Sequence, residues 1–204
     1  AGFSSVTLGF RYNIYRDTAR KFEFTGGAGF KIPWSRDPII VNGVQLGQDI
    51  QPSDGAYGVV LKSFLYKEFV KSGVRVFMIN IANFNGKNTL TYKVGATRTS
   101  ALFFSKSFGS HWTPIMQVRY EERDVAYQYD LPVNSTGGYR FVFVPQINYT
   151  IVKNWNVSLL YELPIYQYYL GTQLVDKYSI SLNMNIRFGM GKHHDECEAP
   201  KKSL

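Results

Sequence analysis

The sequence predicts an all-β protein that crosses a membrane as an antiparallel, up-and-down β-barrel. Three observations predict it: long segments alternate apolar with polar residues, the apolar positions are rich in Phe and Tyr, and no run approaches the ~18 apolar residues of a spanning helix. Side chains on a strand alternate between its two faces, so each segment has one apolar and one polar face. A slightly negative mean hydropathy agrees, because alternation hides the membrane signal of a barrel.

The clearest alternation lies in the last segment, 178–188. Its apolar column is Tyr178, Ile180, Leu182, Met184, Ile186 and Phe188, and its polar column is Ser179, Ser181, Asn183, Asn185 and Arg187. Four earlier segments repeat the pattern: 5–14, 21–32, 112–121 and 139–151. Strands this long exceed those usual in a soluble sandwich, and aromatic residues near their ends are typical of the girdles at membrane interfaces.

Nine strands are predicted from these patterns. They lie at 4–16, 21–32, 55–67, 73–84, 90–106, 111–124, 138–151, 154–167 and 177–188. The connections after the first, third, fifth and seventh strands are short, whereas those at 33–54 and 125–137 are long and the other two are intermediate. Bacterial barrels have short periplasmic turns and longer external loops. We therefore predict a barrel domain at 1–188, with its odd-numbered connections in the periplasm, and a polar periplasmic tail at 189–204.

An odd number of strands conflicts with the even number by which bacterial barrels close. Either a tenth strand is hidden in the sequence, or an odd number of strands is absent before residue 1. We favour the second explanation, because the chain opens inside a strand pattern. Ala1, Gly2 and Phe3 carry no secretory signal, so we expect the chain to be mature, processed or incomplete.

Several short motifs suggest a family. Residues 161–168 read YELPIYQY and are followed by GTQL at 171–174, and GFKIP at 29–33 precedes LGQDIQPSDG at 46–55. Over nearly its whole length the chain resembles the outer-membrane channel family named for the meta-pathway of phenol degradation, and the late PIYQ and GTQL pair is the most specific part. Members are usually labelled transporters and are longer, so the resemblance implies about three further strands and a twelve-stranded barrel in a Gram-negative outer membrane. Such analogy says little about substrate.

Charged residues dominate the face expected to line a pore. The predicted pore-lining residues are Arg11, Lys31, Arg98, Arg119, Glu121, Arg140, Glu162 and Arg187, and the same face is expected to carry Lys21, Lys62 and Glu23. The excess of basic residues, which matches the net charge of +8, favours a pore that concentrates anions. The alternative is a filled lumen in which the charges pair across strands. Basic residues near the outer rim could instead neutralise lipopolysaccharide phosphates.

No catalytic residues are predicted. Ser110 and His111 are adjacent, but neighbours on a strand point to opposite faces, and a hydrolase needs a nucleophile, a base and an orienting group within reach. In the tail, His193, His194 and Cys197 are weak candidates for a copper or zinc site, although a polar mobile tail is commoner. Cys197 is the only cysteine, so it cannot form an intrachain disulfide, and attachment of a lipid or a partner remains open.

The predicted function is therefore not enzymatic. We expect a channel for passive passage of small solutes, either apolar and aromatic or anionic, in contact with outer-membrane lipid and lipopolysaccharide. The alternative is a structural or partner-binding barrel whose 33–54 loop and tail dock other membrane or periplasmic proteins. No cofactor and no nucleic-acid partner are expected.

Overall fold

The computed structural model describes residues 5–35, 39–41, 44–45, 51, 53–152 and 154–187, and the protein is all-β. In chain order its strands are β1 (Ser5–Asp17), β2 (Phe22–Pro33), β3 (Ile40–Val41), β4 (Val44–Gln45), β5 (Gly58–Phe69), β6 (Val74–Asn85), β7 (Tyr92–Lys93), β8 (Thr97–Lys106), β9 (Trp112–Arg123), β10 (Tyr127–Gln128), β11 (Leu131–Pro132), β12 (Gly138–Val152), β13 (Trp155–Tyr169) and β14 (Ser179–Ile186).

Nine long strands form one antiparallel sheet in the order β1-β2-β5-β6-β8-β9-β12-β13-β14. Each strand pairs with the next long strand along the chain, which confirms the predicted nine-stranded, up-and-down arrangement. Short turns follow β1, β5, β8 and β12, and longer connections follow the other strands, as predicted. The longer connections carry the short strands: β3 pairs with β4, and β7, β10 and β11 form a small sheet.

The prediction of one strand over 90–106 was wrong. Thr91 has a positive φ of 58°, after which Tyr92–Lys93 leaves the main sheet and pairs with β10. A Cβ on Gly95 would lie 1.9 Å from the carbonyl oxygen of Asp124, so the two backbones touch there. Only glycine permits that approach, and β8 begins two residues later.

The two faces of the main sheet differ in accessibility. The inner face, as we call it, carries the buried side chains, among them Thr25, Val60, Ala101, Ser105, Gln117, Val142 and Val144. The outer face carries large apolar side chains that are mostly exposed, such as Phe10 at 72%, Met116 at 58% and Leu182 at 70%. A soluble sheet buries its apolar face and exposes its polar one, so the burial pattern of this sheet is inverted.

Side chains of the inner face are buried although, within the described residues, no other strand is stacked on the main sheet. Along the described strands, each strand of the main sheet contacts its hydrogen-bonded neighbours, and the inner side chains lie against one another. Bulges at Ile14 and Ile165 break the regular register, and bulges bend strands. On β1, a Cβ at Gly9 would lie 2.8 Å from the carbonyl oxygen of Ala28 on β2, so glycine there permits the close approach of the two strands.

β1 and β14 are the two edges of the main sheet, and among the described residues they do not pair with each other. No helix long and apolar enough to span a bilayer occurs in the described part of the chain.

Candidate functional site on the inner face

Most of the charged residues predicted to share one face do share it. Strand register places Arg11, Glu23, Lys31, Lys62, Arg119, Glu121, Arg140 and Glu162 on the inner face. Lys21 lies in the turn between β1 and β2, with a positive φ of 50°. Arg187 follows the last residue of β14, and its backbone N–H donates to the carbonyl oxygen of Asn154.

Arg98 is a correction, because it lies on the outer face. It pairs in register with Glu122, and the even-numbered positions of β8 include Leu102, which is opposite the outer-face residue Val118. Arg98 lies at the end of its strand, where its guanidinium donates to Glu122 and to Asp124 at 3.1 Å each. Its charge is therefore satisfied outside the inner face.

Five inner-face and loop residues form what we call the ion-pair ladder: Glu162, Arg119, Glu121, Arg140 and Asp176. Arg119 donates two hydrogen bonds to Glu162, at 3.2 and 3.0 Å, in a bidentate pair. Its Nε lies 2.7 Å from Glu121, an ion pair whose angles do not make it a hydrogen bond. Arg140 donates to Glu121 at 2.5 Å and to Asp176 at 2.8 Å. Two arginines thus face three carboxylates, and neither arginine is left without an acidic partner.

The ladder also extends across the inner face of the sheet from β9 to β13. Arg119 is on β9 and Glu162 is on β13, so their bond passes over the intervening strand β12. Val142 and Val144 of β12 face inward and are 1% and 0% exposed. Arg119 is itself largely buried, and a buried charge is stable only when it is paired, so this part of the inner face is filled by mutually satisfied side chains.

Lys31 lies outside the ion-pair ladder, at the end of the inner face near the long connections. Its ammonium group pairs with Asp54 and donates to Asn85 Oδ1 at 2.5 Å. Asn88 donates from its side chain to the backbone oxygen of Asp54. Lys31 thus anchors the segment that leads into β5, and its charge is neutralised there.

A cavity of about 620 Å³ lies on the inner face of β1, β2, β5 and β6. We call it the Gly27 cavity. In register, Arg11 on β1 and Lys62 on β5 both lie opposite Gly27 on β2, so two cations flank a position without a side chain. Phe64 and Ile81 contribute apolar lining. Within the described residues, Arg11 and Lys62 make no ion pair or side-chain hydrogen bond, and both are exposed.

The apolar residues of this cavity were not predicted from the sequence. Phe64, Ile79 and Ile81 face inward on β5 and β6, and Phe64 continues into an aromatic row through Phe77, which stacks on Phe103 with centroids 4.4 Å apart. Both faces of β6 carry several apolar side chains, so alternation does not identify the inner one. The one available signal was the glycine-rich polar column of β2, which removes side chains from the same region.

The adjacent Ser110 and His111 prove to be in contact. Ser110 Oγ lies 2.8 Å from His111 Nδ1, because both residues lie in the turn before β9, and the prediction that they would point apart was wrong. The His111 ring also stacks on Tyr149, and no carboxylate contacts it among the described residues. That the protein is not an enzyme stays a prediction.

Neither metal binding nor family membership receives support here. No group of three or more His, Cys, Asp or Glu side chains suited to a metal occurs in the described residues, and His193, His194 and Cys197 lie outside them. No protein-family model matches the sequence, and no curated protein matches it.

Proposed function

We propose that the protein is a β-barrel of the Gram-negative outer membrane and that it forms a channel for the passive passage of small solutes. The observation that carries this proposal is the inverted burial of the main sheet. An apolar face is largely exposed, whereas the buried side chains of the sheet lie on the opposite face, which carries most of the charged residues. Soluble monomers rarely expose apolar patches of that extent, and a lipid-facing barrel requires one.

The distribution of aromatic residues on the outer face supports a membrane position. Tyr139 lies in a cluster with Tyr120 and Tyr168 at one end of the strands, and Tyr149 packs on Trp112, 4.5 Å between centroids, at the other. The ten residue-to-residue steps from Tyr139 to Tyr149 span ~33 Å along the strand. A tilt of ~40° reduces this to ~25 Å, the height of the apolar band of outer-membrane barrels.

Closure of the sheet is part of the proposal. In lipid, every backbone N–H and C=O group needs an internal partner, and an open sheet edge is not tolerated. The proposal therefore requires that β1 and β14 become paired, either with each other or through further strands that give an even number. The inner face would then surround a lumen, and the outer face would contact lipid and lipopolysaccharide.

The charge arrangement supports an anion preference that comes from Arg11 and Lys62 and not from all the basic residues of the inner face. Arg119 and Arg140 are matched by carboxylates, so they contribute no net positive field. Arg11 and Lys62 are unmatched, and they lie in a cavity of the inner face. Unpaired cations in a confined space raise the local concentration of anions.

Single-channel recording on the protein in a planar bilayer tests the channel. We expect discrete, steady current steps in KCl whose amplitude persists at both signs of voltage. A protein that inserts, as judged by protection from protease, and yet carries no current at any voltage would contradict the channel.

A partner-binding barrel is the second candidate, and the connections at the long-loop end favour it. Their apolar side chains include Tyr129, Leu131 and Leu174, all strongly exposed. Loops that faced only water would gain nothing from such residues, whereas a docked protein would bury them. An inserted but non-conducting protein would favour this candidate.

A further inference from the structure

The two cations of the Gly27 cavity are placed to act on one anionic group. Arg11 and Lys62 lie on strands that flank β2, and each pairs in register with Gly27 across one interstrand spacing. Their Cα atoms are therefore ~10 Å apart, a gap that two long side chains can close around a single carboxylate. Their charges have no acidic partner in the described residues, so no internal pair must be broken to bind an anion.

On the inner face, β2 carries no side chain at the position between the two cations. A Cβ at Gly27 would lie 2.8 Å from the carbonyl oxygen of Phe10, a contact that real Cβ atoms do not make. Gly29, the next inner-face residue of β2, likewise has no side chain. This part of the cavity is thus lined by the backbones of β1 and β2, and glycine is required there because the two strands approach each other closely.

The wall beyond Lys62 is apolar. In register, Lys62 lies opposite Ile81 and Phe64 lies opposite Ile79, so three apolar side chains adjoin the cationic pair on one side. Val60 adds a fourth. An inorganic anion would leave this wall exposed to water, whereas a carboxylate with an apolar body would bury it and gain hydrophobic contact.

We propose that the Gly27 cavity binds an organic monocarboxylate of medium length, whose carboxylate lies between Arg11 and Lys62 and whose apolar body packs on Phe64, Ile79 and Ile81. A volume of about 620 Å³ lies within the range of small-molecule sites. The inference deepens the proposed channel by naming a solute class, and it rests on that channel only for how the anion reaches the cavity.

Equilibrium dialysis of radiolabelled hexanoate against the purified protein in detergent micelles tests the site without requiring any conductance. Protein-free micelles give the baseline for partitioning. Competition by acetate, inorganic phosphate and hexanamide separates charge from apolar contact. We expect hexanoate to bind at least tenfold more tightly than acetate, because its four additional methylenes pack on the apolar wall, and more tightly than hexanamide or phosphate.

Two double variants identify the site. Arg11→Gln with Lys62→Gln should weaken hexanoate binding about tenfold or more, because charge-assisted hydrogen bonds are lost. The matched control, Lys71→Gln with Lys106→Gln, removes two exposed lysines that do not line the cavity and should leave binding unchanged. All these substitutions are at exposed positions, so folding is retained.

The outcomes separate this inference from the channel. Equal loss in both double variants, or equal competition by acetate, phosphate and hexanoate, would overturn the site even if the protein conducts. Saturable hexanoate binding that depends on Arg11 and Lys62 would support the site even if bilayer recordings show no current, and the channel alone would then fail.

Discussion

The ion-pair ladder and the Gly27 cavity lie on the same face of the same sheet, yet they use charge in opposite ways. In the ladder, Arg119 and Arg140 are bound to carboxylates and cover buried valines. In the cavity, Arg11 and Lys62 flank a glycine and have no acidic partner in the described residues. One region is filled and held by its charges, whereas the other is open and leaves its charges available.

The ladder and the cavity together show that a count of basic residues on one face does not measure the electrostatic field of that face. Arg119 and Arg140 belong to a group of two arginines and three carboxylates. Their contribution to an anion preference is cancelled locally, since opposite charges in contact screen each other at longer range. The sequence left two interpretations open, an excess of basic charge and internal pairing. Internal pairing describes the ladder, and an excess of basic charge describes the Gly27 cavity.

In the proposed barrel, both regions face away from lipid. The largest expected change in the free energy of unfolding tests this orientation. Leu182 and Asn183 are adjacent on the edge strand β14, and both are exposed. We expect Leu182→Arg to lower the free energy of unfolding from lipid vesicles by ~2–4 kcal/mol, because an arginine near the bilayer midplane is costly. Asn183→Arg should change it little. Urea titration of the two variants in vesicles measures both values, and equal costs would refute the assignment of faces.

A smaller effect should distinguish the two regions by stability. Glu162→Gln removes one carboxylate from the partly buried bidentate pair with Arg119, and we expect a loss of ~1–3 kcal/mol, reduced from a fully buried pair because Glu162 is about one-third exposed. Lys62→Gln removes an unpaired charge and should stay within ~0.5 kcal/mol of the parent protein. Denaturant unfolding followed by tryptophan fluorescence checks both. A Lys62 variant as destabilised as the Glu162 variant would mean that the cavity cation is structural.

Much of the sheet was predictable because its causes are local. Alternation identified nine strands and the outer face wherever one column is cleanly apolar, as in β12 and β14. It failed in β8, whose first residues, Thr97 to Ser100, are polar in both columns, so nothing in the sequence selects the face of Arg98. The sequence likewise does not indicate that the backbone at Gly95 contacts that of Asp124, or that β8 begins only at Thr97.

The candidate site was less predictable because its causes are not local. The bond between Arg119 and Glu162 joins residues 43 positions apart across an intervening strand. The opposition of Arg11 and Lys62 across Gly27 depends on the register of two hairpins, and sequence alone does not set that register to the residue. The sequence thus indicates which charged residues lie on the polar columns of the strands. Ion pairing in the folded sheet determines which of these charges have no partner among the described residues.

The reversal potential of the proposed channel in a KCl gradient is the sharpest test of the division of the inner face. Arg11→Gln with Lys62→Gln should shift it toward cation preference, most strongly at low salt where screening is weakest. Arg119→Gln with Glu162→Gln removes one cation and one anion from the ladder, and it should leave the reversal potential at the wild-type value. No shift in the first variant, or an equal shift in the second, would contradict the division of the inner face into a neutralised ladder and a cationic cavity.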